Sequence, residues 1–139
     1  MTGTGAKSLK AVMHAERPVT VLIADDSDLF AAALEAVLTG EEGIEVVGSA
    51  GDGEEAMRLA GELRPQVVLM DISMPGVDGF EATERIRAEL SEVCVLVLTG
   101  SAADADVRRA HEAGASGYVT KDRIAEELVH AIRDVAASC

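Results

Sequence analysis

The chain has 139 residues, which suits one domain built around a single core of ordinary size. Its 12 basic residues are outnumbered by 25 acidic ones, giving a formal net charge of −13. That balance argues against direct DNA binding or anionic-membrane binding by this chain and suits a basic partner or a cation. Nearly half the residues are hydrophobic, yet Phe30, Phe80 and Tyr118 are the only aromatics, so the core must be aliphatic.

Residues 1–17, MTGTGAKSLKAVMHAER, carry basic side chains but no apolar signal core, so they do not look secretory. They read as a loose N-terminal tail or a leftover of expression cloning, with the fold starting near Pro18 and occupying 18–139. The run 19–24 (VTVLIA) predicts a first strand. Helical periodicity follows over 27–39, where Phe30, Leu34, Val37 and Leu38 share a face. A second strand is expected at 44–49 and a second helix at 54–63, with Ala56, Leu59, Ala60 and Leu63 inward. The third strand, 66–70 (QVVLM), leads through a turn to a helix at 79–90 carrying Phe80, Thr83, Ile86 and Leu90 on one side. Asp52 with Glu55, and Asp78 with Glu81, have capping-box spacing at two of these helix starts. The fourth strand is 93–98 (VCVLVL). The helix after it, 103–113, offers only Ala103, Val107 and Ala110 to a core, so it should be held weakly and be able to move. A short fifth strand at 116–119 precedes a last helix at 122–136, for which Asp122 is a good N-cap. Gly40 and Gly114 look like helix stops.

The two cysteines make no framework. Cys94, inside an apolar run, reads as a small core residue, and a reduced, cytoplasmic setting is expected. No apolar stretch approaches membrane-spanning length.

Strand and helix alternate five times, which implies an α/β fold with a parallel sheet and helices on both faces. In such sheets ligands bind at the carboxyl ends of the strands. Here those ends are Asp25-Asp26, Asp71, Thr99 and Thr120-Lys121. Taken singly, an acid after a strand is usually a turn or cap residue and a lysine is usually a solvated surface charge. Together, on one edge, three carboxylates, a hydroxyl and an ammonium form a candidate site. Clustered carboxylates repel and call for a cation, and oxygen-only ligands suit Mg2+. His14, His111 and His130 are scattered and read as surface residues.

The stretches VLIADDSDLF, VVLMDISMPGVDGFEATERIR, VLVLTGSA and AGASGYVTKD resemble the receiver domain of bacterial two-component response regulators over about residues 19–136. MPGVDGFEAT and GASGYVTKD are most similar to the NarL/FixJ branch, whose receivers usually precede a LuxR-type helix-turn-helix domain; that output domain is not in this sequence. The resemblance implies a flavodoxin-like (βα)5 three-layer sandwich with strand order 2-1-3-4-5. It implies that Asp71 accepts a phosphoryl group from a phosphohistidine of a sensor histidine kinase. Asp26, Asp71 and the main-chain carbonyl of Ser73 would hold magnesium, with Asp25 nearby or acting through water. Lys121 would pair with a phosphoryl oxygen, Thr99 would hydrogen-bond another, and Tyr118 would swing inward as the switch. Ser73 and Ser101 would sit where the phosphoryl lifetime is tuned. Many receivers have Pro after the lysine, often with a cis bond. Asp122 stands there instead, so a trans peptide is expected.

A magnesium-dependent phosphatase of the haloacid-dehalogenase type would want a second Asp at position 73 and room for a cap domain. A flavin-binding domain would want a phosphate-cradling loop where DDSDL stands. A scaffolding receiver would usually have lost one of the acids, the Thr or the Lys. A switch module, not an enzyme acting on a separate substrate, is the reading that remains. It would be either a receiver belonging to a transcription factor or a stand-alone regulator. Dimers would use 103–136 or the first and last helices.

Overall fold

Five β-branched, apolar runs lie side by side as parallel strands: β1 Val19–Ala24, β2 Ile44–Ala50, β3 Val67–Asp71, β4 Cys94–Thr99 and β5 Gly117–Thr120, in the spatial order β2-β1-β3-β4-β5. The structure, a computed structural model, describes residues 17–72, 74, 78–100 and 103–139. Among the described residues five α-helices connect or follow the strands: α1 Asp28–Thr39, α2 Gly53–Leu63, α3 Gly79–Glu89, α4 Asp104–Glu112 and α5 Ile124–Ser138. The expected three-layer, flavodoxin-like arrangement is the one observed. The loose tail expected at 1–17 lies, apart from Arg17, outside the described residues.

Strand side chains alternate between faces, and that alternation divides the core in two. Val21, Ile23, Leu69, Leu96 and Leu98 face α1 and α5. Leu22, Val68, Met70, Val95 and Val97 face α2, α3 and α4. β3 and β4 are buried along their whole length, which is why their sequences are continuously apolar rather than alternating.

The helix starts follow from their caps. Ser27, Asp52 and Asp78 each accept a hydrogen bond from the amide three residues on, at Phe30, Glu55 and Glu81. Helix α4 has no side-chain cap, and Ala110 is its one buried hydrophobic residue among those described. The weak anchoring read from its sequence is therefore present. Gly114, at φ +98°, turns the chain out of α4 in a conformation that favours glycine. Gly40 also follows its helix directly, but in right-handed geometry.

Three details differ from the sequence reading. Asp122 does not cap the last helix. The chain leaves β5 through a 3₁₀ turn, Lys121–Arg123, which takes up Asp122 and leaves Arg123 at the cap position, so α5 begins only at Ile124. All described peptide bonds are nonetheless trans, as expected for a Lys-Asp junction. Val37 and Leu63, expected on the inner faces of α1 and α2, are both 41% exposed. The buried stripe of α1 runs through Ala31, Leu34 and Leu38 instead.

The third correction concerns the cysteines. Cys94 is buried, as expected, but it is joined to Cys139 in a disulfide with Cα atoms 6.3 Å apart. Helix α5 starts at the carboxyl edge of the sheet and runs back along it. Its 15 residues cover about 22 Å, close to the roughly 20 Å of a six-residue strand. Its buried stripe, Leu128, Ile132 and Val135, continues after four more residues to Cys139, over the start of β4. A separation of 45 residues matches no spacing motif, so the pairing arises from the fold alone.

Candidate functional site

The strand order reverses between β1 and β3, and the carboxyl ends of these two neighbours hold the acids. β1 delivers Asp25, whose amide donates to the Ala50 carbonyl at 2.9 Å and so extends the ladder one residue beyond the strand. β3 delivers Asp71, in register with Leu98 of β4. Asp25 and Asp71 are almost completely buried, while Asp26 is exposed. One carboxylate oxygen from each of the three lies within 4.8 Å of the others.

Each partner of this trio has a definite placement. The Ser27 amide donates to Asp25 Oδ1 at 2.8 Å, which fixes that carboxylate. Lys121, brought in at the end of β5, sets its Nζ 3.3 Å from Asp71 Oδ1. The same ammonium lies 4.9 Å from the centroid of the Phe30 ring. Helical periodicity assigns Phe30 only to the inner face of α1; its place beneath Lys121 is set by the fold, which periodicity does not encode. Thr99 is buried at the end of β4, opposite Thr120 of β5. Tyr118, two residues before Thr120, is 43% exposed and lines a surface cleft with Val107 and Ala110 of α4. Ser73 and Ser101 lie outside the described residues.

Gly79 is a further position whose importance was not visible from sequence. A Cβ built on it would lie 2.4 Å from the Asp71 carbonyl oxygen and 2.5 Å from Ile72 Cα. The first turn of α3 therefore rests directly on the backbone that carries Asp71, and only hydrogen fits between them. Beside it, Arg109 of α4 lies 4.1 Å above the Phe80 ring and 3.9 Å from the Asp78 carboxylate, linking α4 to the start of α3.

The electrostatics of the trio are unbalanced. Burial pushes the Asp25 carboxyl above its ordinary value, and the charges of Asp71 and Asp26 add to this; the Ser27 hydrogen bond and the Lys121 ammonium oppose it. Asp25 Oδ2 is buried and has no hydrogen-bond partner. An orphaned carboxylate oxygen beside two more carboxylates fits a hard cation, and an all-oxygen donor set fits magnesium.

Comparison with known proteins agrees with this geometry. The sequence profile of the response regulator receiver domain matches residues 21–133. The response regulator GacA of Pseudomonas aeruginosa is 44% identical over 119 residues, covering 86% of this chain and 56% of that protein. The transcriptional regulatory protein LiaR of Bacillus subtilis is 45% identical over 115 residues, covering 83% of this chain and 54% of its own. The chain thus spans about half the length of the curated relatives it matches. The signal receiver domain of NarL from Mycobacterium tuberculosis superposes with a TM-score of 0.84 at 32% identity, covering 88% of this chain and 99% of that domain. A buried strand-end aspartate, two acids beside it and a lysine across from it are thus set in a sheet of this order, and the chain belongs to the response regulator receiver domain family, in its NarL/LuxR-type branch.

Proposed function

We propose that residues 18–139 form a phosphorylation-controlled switch in which Asp71 is the phosphoacceptor. The observation that carries this reading is the buried Asp71 carboxylate held 3.3 Å from Lys121 within an acidic trio that contains an orphaned oxygen. An Asp71 oxygen attacks the phosphorus of a phosphohistidine on a sensor histidine kinase. The P–N bond breaks, its electron pair stays with the imidazole, which then takes a proton, and Asp71 becomes an acyl phosphate. Asp26, Asp71 and the Ser73 carbonyl would hold Mg2+, with Asp25 adjoining. When bound, the ion neutralises charge on the transferring group, which is most of what phosphoryl transfer requires.

The remaining residues act around that step. Lys121 pairs with a phosphoryl oxygen as a point charge. Thr99 donates its hydroxyl to another, and Tyr118 turns inward into the space Thr99 leaves. The weakly seated α4 moves with them. A full reversal of a two-state population needs about 5.5 kcal/mol of differential stabilisation, so one or two charge-assisted contacts produce a graded shift. The kinase docks on the acidic edge and α1, where Leu29 is 84% exposed. The output passes through a homodimer formed by 103–136 or by α1 and α5, and this acidic chain does not itself hold DNA. This switch acts in the cytoplasm. Among the described residues no helix is long and apolar enough to cross a membrane.

Incubation with acetyl phosphate and Mg2+ tests the proposal by intact mass. The wild type should gain about 80 Da, the mass of one phosphoryl group. Asp71→Asn should gain nothing. No gain on either protein, with no magnesium binding, would favour a scaffold that is not phosphorylated.

A further inference from the structure

At the opposite edge of the sheet from the acidic trio, the Cys94–Cys139 pair joins two elements that the switch reading treats separately. Cys94 opens β4 and is buried, whereas Cys139 closes α5 and is exposed. The surroundings of the two sulfurs differ in the same direction. Arg87 Nη1 lies 4.0 Å from Cys94 Sγ and also donates to the Val93 carbonyl at 2.6 Å and the Ser91 carbonyl at 2.9 Å, so the guanidinium is held in place. Cys139 Sγ receives the Ser116 hydroxyl at 3.4 Å.

We infer that this pair is a thiol–disulfide exchange site whose chemical partners are small thiols and dithiols, and that its oxidation locks the end of α5 to the sheet. The asymmetry sets the direction of attack. A thiolate from solution reaches Cys139 Sγ and forms a mixed disulfide there. The S–S bond breaks, and its electron pair leaves on Cys94 Sγ, where the Arg87 charge favours the thiolate before it takes a proton. The second thiol of a dithiol then displaces Cys139. In total two electrons and two protons pass from the dithiol to the protein, and the dithiol becomes a cyclic disulfide. Oxidation by a small disulfide is the reverse. The core does not depend on the bond, because Leu128, Ile132 and Val135 seat α5 without it. Reduction therefore frees the last turn of α5 and leaves the fold in place.

The test equilibrates the full chain with mixtures of reduced and oxidised dithiothreitol, quenches with acid, alkylates free thiols and reads the intact mass, with amide exchange measured in parallel. Populations should pass reversibly between zero and two alkylated thiols with no cross-linked dimer. Reduction should speed exchange in residues 135–139 at least tenfold while β3 and β4 stay protected. The melting temperature should fall by about 5 °C or more, since closing a long loop constrains the unfolded chain. Cys139→Ser should match the reduced wild type in both respects, and Cys94→Ala should match it in exchange at α5. Two reactive thiols at every ratio, disulfide-linked dimers, or equal exchange of α5 in both redox states would overturn the inference. This outcome is independent of whether Asp71 accepts a phosphoryl group.

Discussion

Asp25 is charged at a cost. Its pKa is raised, mainly by burial, so the folded state holds its proton at pH values where the unfolded chain has already lost it. Between the ordinary carboxylate value of 3.8 and the raised one, stability contributed by this group falls as pH rises, and above that window the loss is complete. Asp25→Asn removes the penalty. Without metal, its urea midpoint at neutral pH should exceed that of the wild type, and the gap should close as the pH is lowered towards about 4. Magnesium should reverse the ranking. At 100 times its dissociation constant a ligand stabilises by about 2.7 kcal/mol, a gain expected for the wild type and largely lost in Asp25→Asn. A wild type that melts at the same temperature with and without millimolar Mg2+ would argue against a cation in the trio. The acids themselves were legible because strand ends and a parallel sheet can both be read from periodicity. The burial of Asp25 against the exposure of Asp26 was not, since two adjacent aspartates look alike until a backbone directs one inward and the other to solvent.

At the level of elements, the contact between α3 and the end of β3 constrains the backbone of Asp71, the proposed phosphoacceptor. Gly79→Ala would force a methyl group against the Asp71 carbonyl and Ile72 Cα, neither of which is the free end of a flexible side chain. The expected result is a loss of about 1–3 kcal/mol in denaturant unfolding and slower labelling of Asp71 by acetyl phosphate. Gly61→Ala is the control. It lies in α2 with nothing within 4 Å of the added Cβ, so it should stabilise by roughly 0.5–1 kcal/mol and leave labelling unchanged. Helix α4 presents the opposite case. It has one buried hydrophobic residue among those described and no side-chain cap, and Arg109 ties it to Phe80 and Asp78. Arg109→Ala should speed amide exchange in 104–112 several-fold, while the global unfolding midpoint moves by no more than about 1 kcal/mol equivalent. The weakness of α4 could be read from its small apolar face. The arginine that links it to α3 could not, because cation–π and ion-pair partners lie in different elements.

For the whole molecule, alternation of strand and helix was enough to place three acids, a threonine and a lysine on one edge, because a doubly wound sheet presents all its carboxyl ends together. The opposite edge was not readable in that way. No motif spacing links Cys94 to Cys139, and their meeting depends on the length and direction of α5 against β4. Asp122 is not the cap for a related reason: a 3₁₀ turn takes up three residues before the helix, and local propensity does not distinguish it from a cap. The two edges have separate chemistry. The carboxyl edge carries the acidic trio with Lys121, and the amino edge carries a sulfur pair that tethers the end of α5.

The most direct test of Asp71 as phosphoacceptor is to locate the phosphoryl group rather than only detect it. After incubation with acetyl phosphate and Mg2+, borohydride reduces an aspartyl phosphate to homoserine, and peptide sequencing by mass reads the position. Homoserine at position 71 alone, absent when Mg2+ is chelated, is the predicted result. Homoserine at Asp25 or Asp26, or at no position in a folded protein that binds Mg2+, would contradict it.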